Sequence, residues 1–212
     1  MRVALVSAIF GGIDQPKSVP PQSVSHDLHQ FTEHNSPFPL PDLDDRMRAK
    51  YFKLQTHRVL PDYDAYVWID GSVQIESPEF LASILRMMPI RGITLNPHPL
   101  RSGIVEEADY ILGELEQGSP YFEHRYQPDI IKAEVEFCLK EGYQDDLGLF
   151  ECGVFARPNT GLLNDFFDDW WRHCLTWCCF DQNAFPYLAW KHKLDIIPFK
   201  SSGLYRLVSH VG

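Results

Sequence analysis

Ala65-Tyr66-Val67-Trp68-Ile69-Asp70-Gly71-Ser72 is the stretch on which the reading of the fold turns. Its first five residues form an apolar run of β-branched and aromatic side chains, which predicts a strand over residues 65–69. Asp70 stands at the carboxyl end of that strand, the edge at which α/β sheets bind ligands. Gly71 lets the chain turn and lets a ligand approach the backbone closely. A carboxylate in this position suits a divalent cation such as Mg²⁺ or Mn²⁺, which prefers oxygen ligands and bridges diphosphate oxygens. Asp-Gly is also ordinary turn chemistry. The segments around it therefore have to supply the weight.

Working outward, similar apolar runs predict strands over residues 3–9, 92–95, 150–156 and 194–197, with a short further strand within 26–31. Helical spacing covers 44–59, 77–88, 102–115, 128–141, 159–177 and 182–192, the third of these following closely on the strand 92–95. Ser77-Pro78-Glu79 has the form of a cap followed by proline at the first helical position. The alternation gives an α/β class with a mostly parallel central sheet flanked by helices. Six prolines between Asp14 and Asp42 make most of that segment loop, and a long loop in a compact domain is often functional. No shift of composition marks a second domain, so residues 1–212 are expected to form one.

Hydrophobic residues at 44% and charged residues at 23% are ordinary for a globular chain and argue against disorder. A net charge of −10 argues against broad binding to nucleic acid or anionic membranes, while leaving room for a local basic site. No apolar run reaches the ~18 residues of a membrane span. The run at residues 1–9 is too short for a signal peptide and lacks a small-residue cleavage site. The five cysteines form an odd, crowded set that suits no disulfide framework, and a reducing cytoplasm is the expected setting. Cys174 and Cys178 are spaced for one helix face, but the second pair a structural zinc site needs is absent, and the tryptophans around them mark core.

Three further clusters are predicted to reach the edge occupied by Asp70. Arg46, Lys50, Lys53 and His57 recur at intervals of four, three and four, which places them within an arc of about 60° on one helix. That stripe is either a solvated face or a clamp for a diphosphate. Asn96-Pro97-His98-Pro99-Leu100-Arg101, with Glu106-Glu107 after it, brings a histidine, an arginine and a carboxylate to the end of the strand 92–95. Such a group offers a metal ligand, a phosphate clamp and an acid or base. Asp181-Gln182 opens a helix, where composition alone favours Asp181 as the cap. The other possibility is a carboxylate and an amide that orient a sugar.

These segments, in this order, resemble a glycosyltransferase-like family long described as a domain of unknown function, known from plant cell-wall-associated proteins and short bacterial and viral homologues. The resembling residues are Ala8-Ile9-Phe10-Gly11-Gly12-Ile13-Asp14, Phe31-Thr32-Glu33, Arg46 through Leu60-Pro61-Asp62-Tyr63-Asp64, Trp68-Ile69-Asp70-Gly71-Ser72, His98-Pro99-Leu100-Arg101 with Glu106-Glu107-Ala108, and Asp181-Gln182. The resemblance implies the A-type glycosyltransferase fold, a Rossmann-like unit that binds a nucleoside-diphosphate sugar. It implies that Phe10, Gly11, Gly12, Asp14 and Thr32 line the base and ribose. It also sets Arg46, Lys50, Lys53 and His57 toward the diphosphate, Asp70 at the metal, and Asp181 and Gln182 at the donor sugar. Two departures stand out. Trp68 and Ser72 flank Asp70 where many such enzymes carry Asp-x-Asp, so the second metal ligand would be His98 or His210. Phe31-Thr32-Glu33 has glutamate where the family usually has aspartate.

The expectation is a metal-assisted transfer, with Mn²⁺ or Mg²⁺, of a sugar from a UDP-sugar to a hydroxyl acceptor. Asp70, His98, Asp181 and Gln182 form the catalytic set, and Arg101, Glu106 and Arg157 contact substrate. The alternatives are a metal-dependent hydrolase using the same site and a catalytically inactive nucleotide-sugar binding module.

Overall fold

The computed structural model describes residues 1–40, 42–177 and 179–208. Its centre is a six-stranded sheet in the order β2-β1-β3-β6-β5-β7, flanked by helices. In chain order, β1 (Val3–Ala8) and β2 (Asp27–Phe31) precede helices α1 (Asp45–Leu54) and α2 (Thr56–Val59). Strands β3 (Ala65–Ile69) and β4 (Val73–Ile75) lead into α3 (Phe80–Met87), and β5 (Gly92–Pro97) into α4 (Ile104–Glu116), α5 (Pro120–Glu123) and α6 (Pro128–Lys140). The chain ends with β6 (Phe150–Pro158), α7 (Gly161–Thr176), α8 (Asp181–His192), β7 (Asp195–Pro198) and β8 (Tyr205–Leu207).

The pairings β1·β2, β1·β3 and β5·β7 are parallel, while β6 runs antiparallel to both β3 and β5. Every residue of β1 and β3 is buried, as continuous apolar runs covered on both faces require. One face packs on α1, α7 and α8 and the other on α3, giving the two larger apolar clusters of the core. Among the described residues no helix is long and apolar enough to cross a membrane.

Three local expectations change. The helix expected over 44–59 breaks at Gln55, whose backbone leaves helical geometry at φ −107° and ψ 22°. There the Thr56 hydroxyl donates back to the Phe52 and Lys53 carbonyls, and the Gln55 amide donates to the Phe167 carbonyl. Such side-chain bonds compete with the helical ladder. The helix expected from Ser77 begins at Phe80, because Ser77 Oγ accepts from the Glu79 amide in a separate turn. Finally, β4 pairs with β8 in a two-stranded ribbon for which the sequence offers no local signal.

Candidate functional site

Four elements converge beyond the carboxyl ends of β1 and β3 and enclose a cleft of 670 Å³. That volume is in the usual range for a small-molecule site. The loop after β1 supplies Phe10 and Asp14, α1 supplies Arg46, Lys50 and Lys53, the β3 end supplies Asp70, and the start of α8 supplies Asp181 and Gln182. Gly71 is required by close packing: a Cβ there would stand 2.9 Å from Asp14 Oδ2 and 3.0 Å from Ile9 Cγ1.

The centre of the cleft is an ion cluster. Lys53 Nζ donates to Asp181 Oδ2 at 2.7 Å and to Asp70 Oδ1 at 3.2 Å, and Lys50 also pairs with Asp181. The Lys53 side chain is 2% exposed and that of Asp181 5%, against 42% for Asp70. Burial pushes the Asp181 carboxyl upward, but the charges and hydrogen bonds of Lys50 and Lys53 outweigh it and hold the group well below the usual carboxylate range. Burial likewise works against the Lys50 and Lys53 ammonium groups, and Asp181 reverses the direction for both. All three groups stay charged. The basic stripe on α1 is therefore an inward-facing arrangement and not a solvated face.

Asp181 does not cap α8. Phe180 holds the cap position without a side-chain bond, and Asp181 is the first helical residue, where the helix dipole also favours its charge. Its Oδ1 is buried and has no hydrogen-bond partner among the described residues. Trp68, read in the sequence as a strand residue and as the place of a missing aspartate, orients Asp70 by donating Nε1–H to Oδ1 at 2.6 Å. Lys53 also lies 5.7 Å from the centroid of the Trp68 ring. The rim adds α5 and the residues after it, including Tyr121, His124, Arg125 and Tyr126. Proline at the first position of α5, after Ser119, was the available signal for this short helix.

Several expected site residues lie elsewhere. His57 falls beyond the break at Gln55, where Nε2 meets Asp168 at 3.1 Å and Nδ1 meets Arg157 at 3.3 Å. Burial, then the Arg157 charge, pushes its pKa down to about 4. Arg157 is 1% exposed, sandwiched over Phe167 at 4.1 Å and Tyr66 at 4.6 Å, so it packs in the core and does not line the cleft. Arg101 pairs with Glu107 and stacks on Tyr110, while Glu106 accepts from the Ser102 amide and hydroxyl at the start of α4. Neither lines the cleft. Gly11, Gly12 and Thr32 are not lining residues either. The Gly11 amide donates to Glu33, and Glu33 shares a small groove with Phe10.

The expected metal pair, Asp70 and His98, is engaged by cationic and amide donors, which works against a divalent cation there. Asp70 Oδ1 is already taken by an ammonium and an indole, and Asp181 Oδ2 by two ammonium groups, which leaves Asp181 Oδ1 open. His98 Nδ1 accepts from the Leu100 and Arg101 amides, and its Nε2 lies 3.2 Å from the Arg101 guanidinium. A cation on Asp70 would have to share it with Lys53, and one on His98 would meet the Arg101 guanidinium. No group of three or more histidine, cysteine, aspartate or glutamate side chains gathers into a metal site among the described residues. His210 and Cys178 lie outside them. Cys138, Cys152, Cys174 and Cys179 are free and buried.

No protein-family model matches the chain, and no curated protein matches it. Among solved structures it is similar to mouse xyloside xylosyltransferase 1 in its apo form. The two superpose with a TM-score of 0.50 at 10% sequence identity, over 95% of this chain and 86% of that one. At that identity the likeness is one of fold: the two chains share a mixed α/β architecture.

Proposed function

We propose that this chain transfers a sugar from a nucleoside-diphosphate sugar, with a UDP-sugar as the expected donor, to a hydroxyl acceptor. The observation that carries the reading is Asp181: a buried carboxylate at the back of the cleft, held by Lys50 and Lys53, with one oxygen lacking a donor. A sugar hydroxyl is such a donor, and Gln182 beside it offers an amide that can both donate and accept.

In the reaction the bond from the anomeric carbon to the diphosphate breaks, and the nucleoside diphosphate leaves with the electron pair. Lys50 and Lys53 would meet that charge as it develops, in the role that preorganised cations fill in transferase sites, while Arg46 beside them donates to the Arg125 and Cys179 carbonyls. The acceptor oxygen forms the new bond to the anomeric carbon, and its proton passes to Asp70, the most exposed carboxylate of the cluster. No step is assigned to a metal, because the residues around Asp70 are ammonium and indole donors. Phe10 and the adjoining groove at Glu33 are the available surface for the base.

The test is release of free nucleoside diphosphate from a panel of UDP-, GDP- and dTDP-sugars, with and without hydroxyl acceptors. UDP-sugars are expected to turn over, and Asp181→Asn to lower kcat by about a hundredfold or more. Failure of every donor to turn over or to bind overturns the reading. So does an Asp181→Asn variant with unchanged kcat.

A further inference from the structure

A second cavity, of 370 Å³, meets the nucleotide cleft at Asp70, Ser72, Asp181 and Gln182. It lies where β5 and β6 lose register. Leu95 pairs with Phe155, but the next residue, Asn96, pairs with Glu151, so Cys152, Gly153 and Val154 have no partner on β5. A bulge of this kind re-aims side chains beside a site. Gly153 sits against Asp70 there, its carbonyl accepting from the Asp70 amide at 2.8 Å. The β4·β8 ribbon closes the other wall with Tyr205.

Asn96 lines this cavity and is 7% exposed. Its Nδ2 donates to Ser201 Oγ at 3.2 Å and to the Tyr205 hydroxyl, and its Oδ1 has no partner among the described residues. Both partners are hydroxyls, which accept as readily as they donate, so turning the amide over would only leave the amino group unpartnered instead. Either orientation leaves one end of a buried amide open. Asp181 Oδ1, the acceptor assigned above to the donor sugar, lies at the junction of the two cavities. Buried polar groups in folded proteins are otherwise nearly always paired. His98 and Glu151 complete a lining in which amide, hydroxyl, imidazole and carboxylate groups dominate.

The geometry points to this cavity as the acceptor site, built for a carbohydrate that presents one hydroxyl at the Asp70–Asp181 junction. Sugar hydroxyls both donate and accept at short spacing, which is what Asn96, Tyr205 and Glu151 can answer. Polar groups outweigh the apolar lining of Val73, Cys152, Val154 and Leu207, which favours a carbohydrate over a lipid acceptor. The assignment rests on the transferase reading, since the acceptor oxygen must meet the anomeric carbon of a donor held in the adjoining cleft.

The experiment compares the parent with Asn96→Ala and the milder Tyr205→Phe, using UDP-sugar as donor and methyl glucosides, galactosides and xylosides as acceptor probes. At least one glycoside is expected to accelerate UDP release. Both variants should raise the KM for that glycoside by about tenfold, while donor KM and the slow acceptor-free hydrolysis of donor stay within about twofold. An unchanged acceptor KM in both variants overturns the assignment. A parent that hydrolyses donor but is accelerated by no glycoside overturns it too, while leaving the transferase reading standing. Loss of donor binding in the parent ends both.

Discussion

At the scale of single residues, the site is decided by which group neutralises which. Asp181 and Asp70 keep Lys50 and Lys53 ionised although Lys53 has almost no contact with water. Removing one member of such a cluster leaves an uncompensated charge in a region of low dielectric. The two kinds of removal have opposite consequences for an anionic ligand. Lys53→Met deletes a cation and should weaken UDP binding by about tenfold or more, since charge-assisted contacts to phosphate are among the stronger hydrogen bonds. Asp181→Asn deletes a competing anion, so UDP should bind at least as tightly as to the parent even as turnover falls. Calorimetric titration with UDP reads both. Equal affinity in the parent and Lys53→Met would remove the lysines from the diphosphate site.

At the scale of elements, the strands were legible because buried α/β strands are written as local apolar runs, and β1, β3, β5, β6 and β7 fall where those runs lie. What local pattern could not convey was partnership across the chain. The Asp181 position follows a capping rule read from its neighbours, yet its true partners lie 131 and 128 residues away on α1. Arg157 is expected from the sequence to contact substrate, whereas two aromatic rings accommodate it in the core. The stripe on α1 was legible at Arg46, Lys50 and Lys53 but ended too early for His57, because Gln55 and Thr56 break the helix with side-chain bonds to Phe167 and Phe52. The displaced histidine makes a prediction about stability. Its folded pKa of about 4 lies below the ordinary value of 6.5, so between those values the unfolded chain binds the extra proton. Stability from this residue is present above pH ~6.5 and is lost as pH falls toward 4. Melting temperature should therefore fall less steeply between pH 6.5 and 4 in His57→Gln than in the parent, with turnover at pH 7 little changed. A parallel loss in both proteins would mean that His57 is not buried in its neutral form.

At the scale of the whole molecule, an acidic chain of net charge −10 has gathered three cations of one helix onto the carboxyl edge of its sheet. The edge is shared by segments remote in sequence: the loop after β1, the end of β3, and the junction of α7 and α8. A ligand that bridges α1 and α8 ties those segments together and should stabilise the fold as a unit, by about 2.7 kcal/mol at a concentration a hundred times its Kd. For a chain of this size each kcal/mol corresponds to about 2–4 °C in Tm, so saturating UDP should raise the melting temperature by about 5–10 °C. Because the charges that meet the diphosphate are lysines already in place, the rise should be the same in EDTA as in Mn²⁺. A shift that appears only with Mn²⁺ would mean that UDP brings a metal to Asp70 and displaces Lys53 from it, and that the ion cluster seen without ligand is a resting arrangement rather than the binding one.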